Sequence, residues 1–507
     1  MIKAVLTKEA RNDSDLHTTP LVLALDISTS SVRAALYDAG ARQIPNAEAH
    51  LARELRTTVD GGAELDAHEA IEQVASTIDA LFSVDEARRA RIELVAVSCF
   101  WHSLVGVDDE GQAVTPVFGW ADMRAGLWAR ELRLQLDERE VHARTGCRFH
   151  PSYWPAKLRW LQAEHSEIAR RVPQWMSLGE FLLLTLFGQT ATSVAMASGT
   201  GLLNLRSCAW DEELRERLGL PVEQLPAIAA EGQTFTRMKE AFARRWPQLS
   251  GARWFPAVPD GAANNIGAGC TNEESAALMV GTSGAMRVLC KAEPLPALPQ
   301  ELWCYRVDRK RILLGGALSD GGGLYSWMRE TLALGSGTEV IERTLAAMEP
   351  DAHGLTLLPH WAGERSTGWH TTARGAILGL TMHTDALQIL RASMEAIAYR
   401  FALIADALHA VVPYKHVIAS GGALEASPAW AQIIADVLGR PLLMSGVREA
   451  STRGVVLLAL EAAGRIESIT DASAPTLQAY EPEMQRHAIY RAALARQQKY
   501  YELLIEE

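Results

Sequence analysis

At 507 residues the chain is too long for one ordinary hydrophobic core, so two domains are expected. Its hydrophobic residues, 48% of the total, are dispersed, and no stretch approaches the roughly 20-residue apolar run of a membrane helix. A formal charge of −12 argues against a reader of nucleic acid, which needs concentrated Lys and Arg, yet leaves room for an anionic small substrate in a locally different pocket.

Residues 1–19 are mixed and charged and lack the apolar run of a secretory signal; they read as a disordered or tag-like lead. Leu21-Val-Leu-Ala-Leu-Asp26 is a short apolar strand ending on an acid. The small polar residues Ser28, Thr29, Ser30 and Ser31 follow, and then a second strand over Val32–Tyr37, so a hairpin with a hydroxyl-rich turn is expected. Residues 67–90 read as helical and Glu93–Ser98 as a buried strand. A second half opens near residue 258, after a hinge over Pro256–Pro259. There Ala276–Val280 runs through Gly281-Thr-Ser-Gly-Ala285 into Met286–Leu289, so a strand, a turn of small residues and a strand occur once in each half. This suggests a duplicated architecture with a nucleotide between the halves. Apolar residues at Leu390, Met394, Ile397, Phe401, Ile404 and Leu408 give a long core helix over Asp385–Leu408. Next, His416–Ser420 reads as a strand entering Gly421-Gly422. The helix after it has Ser427 as N-cap, Pro428 in its first turn, and Gly439 and Pro441 closing it. The cysteines Cys99, Cys147, Cys208, Cys270, Cys290 and Cys304 form no C-x-x-C pair and read as reduced core thiols of a cytoplasmic protein.

Phosphoryl transfer asks for positioning, charge neutralisation and a base for the attacking hydroxyl. Gly281-Thr282-Ser283-Gly284 offers backbone N–H groups and hydroxyls suited to phosphate oxygens. Asp26, at a strand end, can hold magnesium through water. Asp260, in Val258-Pro-Asp-Gly-Ala-Ala-Asn-Asn-Ile-Gly-Ala-Gly269, has small neighbours that leave space around one carboxylate able to accept a hydroxyl proton. Each of these features, taken alone, is also an ordinary turn. Trp120 can pack on the C–H face of a sugar while Asp122 and Arg124 bind hydroxyls or a carboxylate; a surface ion pair beside a core Trp is the plain alternative. His102 can bind a hydroxyl or be a satisfied core histidine. No P-loop, H-E-x-x-H or G-x-S-x-G motif is present.

Taken together, from Leu21 to about Leu460, these segments resemble the FGGY family of carbohydrate kinases. The most specific piece is Gly375-Ala-Ile-Leu-Gly379-Leu380 followed by Gln388-Ile-Leu-Arg-Ala-Ser-Met-Glu395, which is similar to the family's C-terminal signature. The resemblance implies an α/β, two-domain actin/hexokinase/Hsp70-like (ribonuclease H-like) fold with the active site in the interdomain cleft. Residues 20–257 would bind sugar and 258–507 nucleotide. It carries the catalytic Asp over to Asp260, with Asp26 and Asp260 toward magnesium. Sugar contacts fall on His102, Trp120, Asp122, Arg124, His150 and Asp260. Nucleotide contacts fall on Thr29, Ser30, Gly281, Thr282, Ser283, Gly322, Ser326, Gly421, Gly422, Ala423 and Gln432. ATP and Mg²⁺ are the implied cofactors, and a homodimer is compatible with the family.

Several stretches look most like gluconate kinases: Trp120–Arg124 with Trp128, Thr145–Pro151, Ala197–Leu205, Gly281–Arg287 and Gly321–Gly323. They imply D-gluconate as substrate and 6-phosphogluconate as product. Another polyol or ketose (xylulose, ribulose, glycerol) and a non-catalytic nucleotide- or sugar-binding regulator are the alternatives. Two departures stand out. Ala24 and Ser28 stand where the first phosphate motif usually has glycine, Ser28 threatening the phosphate approach, and Glu425-Ala426 stands where relatives often carry a basic residue.

Overall fold

The computed structural model describes residues 20–335 and 337–505; the lead expected over 1–19 lies outside the described residues. Strand Leu21–Ile27 forms where the apolar run predicts it, with every residue buried. It turns into its antiparallel partner Ser31–Tyr37, with Asp26 opposite Arg33. On its other edge it pairs in parallel with Ile92–Cys99, which places Asp26 beside Ser98. Val258–Pro259 pairs in parallel with that same strand, Val258 beside Ser98. This register decides where chemistry can occur. Asp26, the Ser98–Cys99 end and Asp260 all emerge at one carboxyl edge, the edge where open α/β sheets bind ligands.

The second sheet repeats the theme. Ser275–Val280 and Gly284–Lys291 form an antiparallel hairpin across Gly281–Ser283, and His416–Ser420 pairs in parallel with the first of them, Met279 beside Ser420. Gly281 and Gly421 therefore leave neighbouring parallel strands at one edge. The full order is Trp303–Arg306, Arg311–Leu318, Gly284–Lys291, Ser275–Val280, His416–Ser420, Leu442–Ser445, Thr476–Tyr480.

The long helix spans Ala386–Val411, three residues beyond the expected end. Asp385 and Gln388 make a reciprocal capping box at its start, and the expected stripe from Leu390 to Leu408 is buried. Helix Pro428–Leu438 starts at Ser427, whose hydroxyl accepts the Trp430 N–H, and stops at Gly439 with φ 63°.

Spatially, the division at Pro256–Pro259 is not a division of cores. Helix Asp260–Gly267 and the distant helix Ala450–Ala462 both pack into the first core, through Ala262, Ala263, Ile266, Val455, Val456 and Leu460. The two helices cross so closely that a Cβ on Gly267 would lie 1.7 Å from the Ala450 carbonyl oxygen, and one on Gly454 1.8 Å from that of Ala263. Glycine is the residue that permits such a backbone approach. Tyr37 Oη, 2.6 Å from Thr452 Oγ1, ties the same late helix to the first sheet.

Candidate active site

Asp260 is the first residue of its helix, where the exposed N–H groups favour an anion. Its Oδ1 accepts the Gly261 N–H at 2.7 Å. Burial nevertheless pushes its pKa up to about 6; the Asp26 carboxylate adds to the rise and Arg287 opposes it. Asp26 is buried, which raises its own pKa, while the neighbouring Ser98 hydroxyl and the charges of Arg33 and Arg53 act the other way. Among the described residues its Oδ1 has no hydrogen-bond partner. A buried carboxylate oxygen left without a donor is costly unless a cation or ligand completes it.

The turn after Asp26 is well formed. Ser28 is absent from the residues with positive φ, so no glycine is needed there. Its hydroxyl faces its own turn, donating to Ser31 O at 3.1 Å, and its carbonyl oxygen accepts Arg53 Nε at 2.8 Å. Thr29 is half-buried and Ser30 exposed at the tip.

Three glycine turns converge in the second half. Gly322 N–H donates to Gly281 O at 2.7 Å, while Gly321 and Gly323 donate to Thr282 O at 3.1 and 3.0 Å. A Cβ on Gly322 would lie 2.8 Å from that of Ala423. Gly421, at φ +107°, would place a Cβ 2.3 Å from Val280 O, so only glycine fits there. The structure thus brings together Gly281, Thr282, Ser283, Gly322, Gly421 and Ala423, with Gly422 open beside them and Ser326 exposed one turn into helix Gly322–Thr331. Gln432 is engaged within the fold instead, its amide donating to Asp436 Oδ1 and Glu481 O, both at 2.8 Å. Glu425 is exposed.

Beyond Asp260, an aromatic box is built from both halves. Trp101 and Tyr153 come from the first half, Tyr305 and Trp369 from the second. Trp101 and Tyr305 centroids are 4.7 Å apart, and the Tyr153 and Tyr305 hydroxyls lie 2.5 Å apart. His102 stacks on Trp101 and meets Tyr153 edge-on; His150 meets Trp369 at 5.8 Å. Burial first, then the charge of Arg365, holds both histidines well below the usual range, hence neutral. Their tautomers follow from their partners. His102 Nδ1 lies 2.5 Å from Gly199 O and so carries the proton, leaving Nε2 an acceptor. His150 Nδ1 accepts the Ser152 N–H at 3.1 Å, leaving Nε2–H a donor. Lys157 braces this wall from behind, donating to Pro151 O and Ser152 O at 2.9 and 2.6 Å, while Ser152 Oγ donates to Trp120 O.

Asp122 and Arg124, expected to bind substrate, are engaged with each other and with Glu64. Arg124 Nη2 bridges Asp122 at 2.5 Å and Glu64 at 2.7 Å, Asp122 also accepts the Ala63 N–H, and the guanidinium stacks 4.8 Å from the Trp160 ring. The plain ion pair is what forms, and it fixes the segment carrying half-buried Trp120. The residues that sequence reasoning missed, Trp101, Tyr153, Tyr305, Arg365 and Trp369, carry no local motif; Arg287 was visible only as part of the Gly281–Arg287 resemblance. Elsewhere, Asp351, His353 and Glu395 have the spacing of a metal cluster. Arg496 and Arg391 already pair with its two carboxylates, at 2.5 and 2.6 Å, so it is an ion-pair network.

Comparison with known proteins fits this geometry. Residues 21–252 match the N-terminal domain, and residues 276–463 the C-terminal domain, of the FGGY family of carbohydrate kinases. A gluconokinase from Bacillus subtilis (strain 168) is 27% identical over 462 residues, 89% of either chain. A xylulose kinase from Lactococcus lactis is 25% identical over 453 residues, 88% of this chain and 89% of the other. A crystal structure of gluconate kinase from Lactobacillus acidophilus superposes with a TM-score of 0.88 at 26% identity, covering 96% of this chain and 98% of that one. Both domains of one family align in order along a single chain, and the protein is therefore a member of the FGGY family of carbohydrate kinases, an enzyme that transfers a phosphoryl group to an alcohol.

Proposed function

We propose that this chain is a gluconokinase, converting D-gluconate to 6-phosphogluconate with ATP and Mg²⁺. The observation that carries the reading is Asp260, an acid poised near pH 6 between two phosphate-type turns and an aromatic box. The gluconate assignment is supported by the similarity to gluconokinases from two Bacillus species and to a gluconate kinase structure.

In this mechanism the polyol chain lies against Trp120 and the aromatic box. His102 accepts one hydroxyl proton and His150 donates to another oxygen. Asp260 accepts the proton of the terminal hydroxyl as its oxygen attacks the γ-phosphorus. The glycine turns let backbone N–H groups approach the phosphates, and the two halves exclude water as a competing nucleophile. Asp26, with its partnerless buried Oδ1, fits a cation site; the metal, when bound with ATP, offsets phosphate charge. Among the described residues no helix is long and apolar enough to cross a membrane, which accords with a cytoplasmic enzyme.

The test is ADP formation against D-gluconate, xylulose, ribulose and glycerol, with Asp260→Asn as control. Gluconate-dependent turnover that the substitution removes supports the reading. Turnover on another substrate alone replaces gluconate, a live second reading because xylulose and glycerol kinases also match at 25% and 27% identity. ATP binding without turnover on any sugar would point to a regulator.

A further inference from the structure

With Arg124 committed to Asp122 and Glu64, a sugar acid needs another cation for its carboxylate. Arg33 pairs with Asp26 and Glu449, and Arg53 donates to Ser28 O. Arg287 reaches Gly261 O at 3.4 Å and faces Asp260. Arg365 differs. Among the described residues no carboxylate pairs with it, and its Nε, like that of Arg287 beside Asp260, is buried without a hydrogen-bond partner.

The neighbouring acid does not serve it. Glu364 is taken by Arg400 and by the Tyr501 hydroxyl at 2.6 Å, and it also accepts the Gly368 and His370 N–H groups. This bracing holds the 364–370 loop of the second half against the sugar side of the first half. There the Arg365 guanidinium lies 5.7 Å from the Trp120 ring centroid, and Trp369 closes on His150 and Tyr153. The charge of Arg365 is felt at His102, His150 and Arg287 alike. An unpaired guanidinium over an aromatic face, among neutral histidines, is suited to a planar anion that can take two parallel N–H donors.

We propose that Arg365 anchors the carboxylate of an aldonate substrate, holding the end of the chain remote from the hydroxyl that faces Asp260. This rests on the gluconate reading for its ligand. It adds that the second half supplies the residue separating sugar acids from neutral polyols.

The test is equilibrium binding, read by tryptophan fluorescence, of D-gluconate and of its neutral amide, D-gluconamide, to the full chain and to Arg365→Gln and Arg365→Lys. Turnover on both ligands is measured in parallel. Loss of a charge-assisted hydrogen bond is expected to weaken gluconate binding about 10- to 100-fold in Arg365→Gln. Gluconamide binding should change less than about threefold, and Arg365→Lys should recover part of the loss. Equal weakening of both ligands, or no weakening of either, overturns the proposal, as does failure of the unsubstituted chain to bind gluconate. Gluconate that binds in an Arg365-dependent manner without being phosphorylated upholds the anchor and removes the gluconokinase reading.

Discussion

In its proposed role as base Asp260 must be ionised, yet burial and the facing Asp26 carboxylate push its pKa up to about 6. The consequence for rate is direct. kcat/KM is expected to be flat above pH 7 and to fall about tenfold per unit below pH 6, as the base protonates. Asp260→Asn should lower kcat by roughly 10²–10⁴-fold with gluconate binding largely kept. The consequence for stability has the opposite sense from an ion-paired acid. Because the folded pKa lies above the ordinary 3.8, the folded state binds the proton more tightly, and stability falls as pH rises from about 4 to 6. Asp260→Asn is therefore expected to be more stable than the parent at pH 7.5, by roughly 1–3 kcal/mol, with the gain vanishing near pH 4. Urea midpoints at the two pH values check it; a variant less stable at pH 7.5 would refute the burial argument. Asp260 stood out in the sequence as an acid among small residues, and the family resemblance, not that spacing, marked it as the base. Arg365 did not: that no carboxylate among the described residues pairs with it is set by the tertiary fold.

Among the elements, those with local punctuation were readable. Ser427 with Gly439 bracketed one helix, and alternate turns of Leu390 to Leu408 marked another, because caps and a 3.6-residue period are properties of the segment alone. Which core a helix joins is not such a property. The apolar residues of Ala450–Ala462 say that it is buried, and only the fold places it against Asp260–Gly267, about two hundred residues earlier. Its glycine at 454 is the physical trace of that crossing, through the 1.8 Å that a Cβ would leave to Ala263 O. Gly454→Ala should force the helices apart and destabilise the chain by about 1–3 kcal/mol, while moving Asp260 enough to lower kcat; an unchanged urea midpoint would contradict the close crossing. Gly421 makes a second, separable case. Its positive φ and its closeness to Val280 O predict that Gly421→Ala raises KM for ATP about tenfold or more, with a smaller change in KM for the sugar. Steady-state kinetics with each substrate varied in turn distinguish the two effects.

For the molecule as a whole, the walls of the aromatic box come from both halves, so the box is complete only in the arrangement that brings Tyr153 and Tyr305 together. Their hydroxyls, 2.5 Å apart in a buried setting, satisfy one another across the interface. If the halves separate, water can solvate each hydroxyl, so the pair contributes chiefly to closure. Removing one hydroxyl leaves the other buried without its partner, at a cost of about 1–3 kcal/mol, whereas removing both approaches neutrality. Tyr153→Phe and Tyr305→Phe should each raise KM for the sugar and increase ATP hydrolysis in its absence relative to sugar-dependent turnover. The double variant should be closer to the parent than either single one, with a coupling of about 1 kcal/mol or more. Two single variants whose effects simply add in the double variant would mean that the hydroxyl pair does not govern closure, and that the two halves are held by their aromatic packing alone.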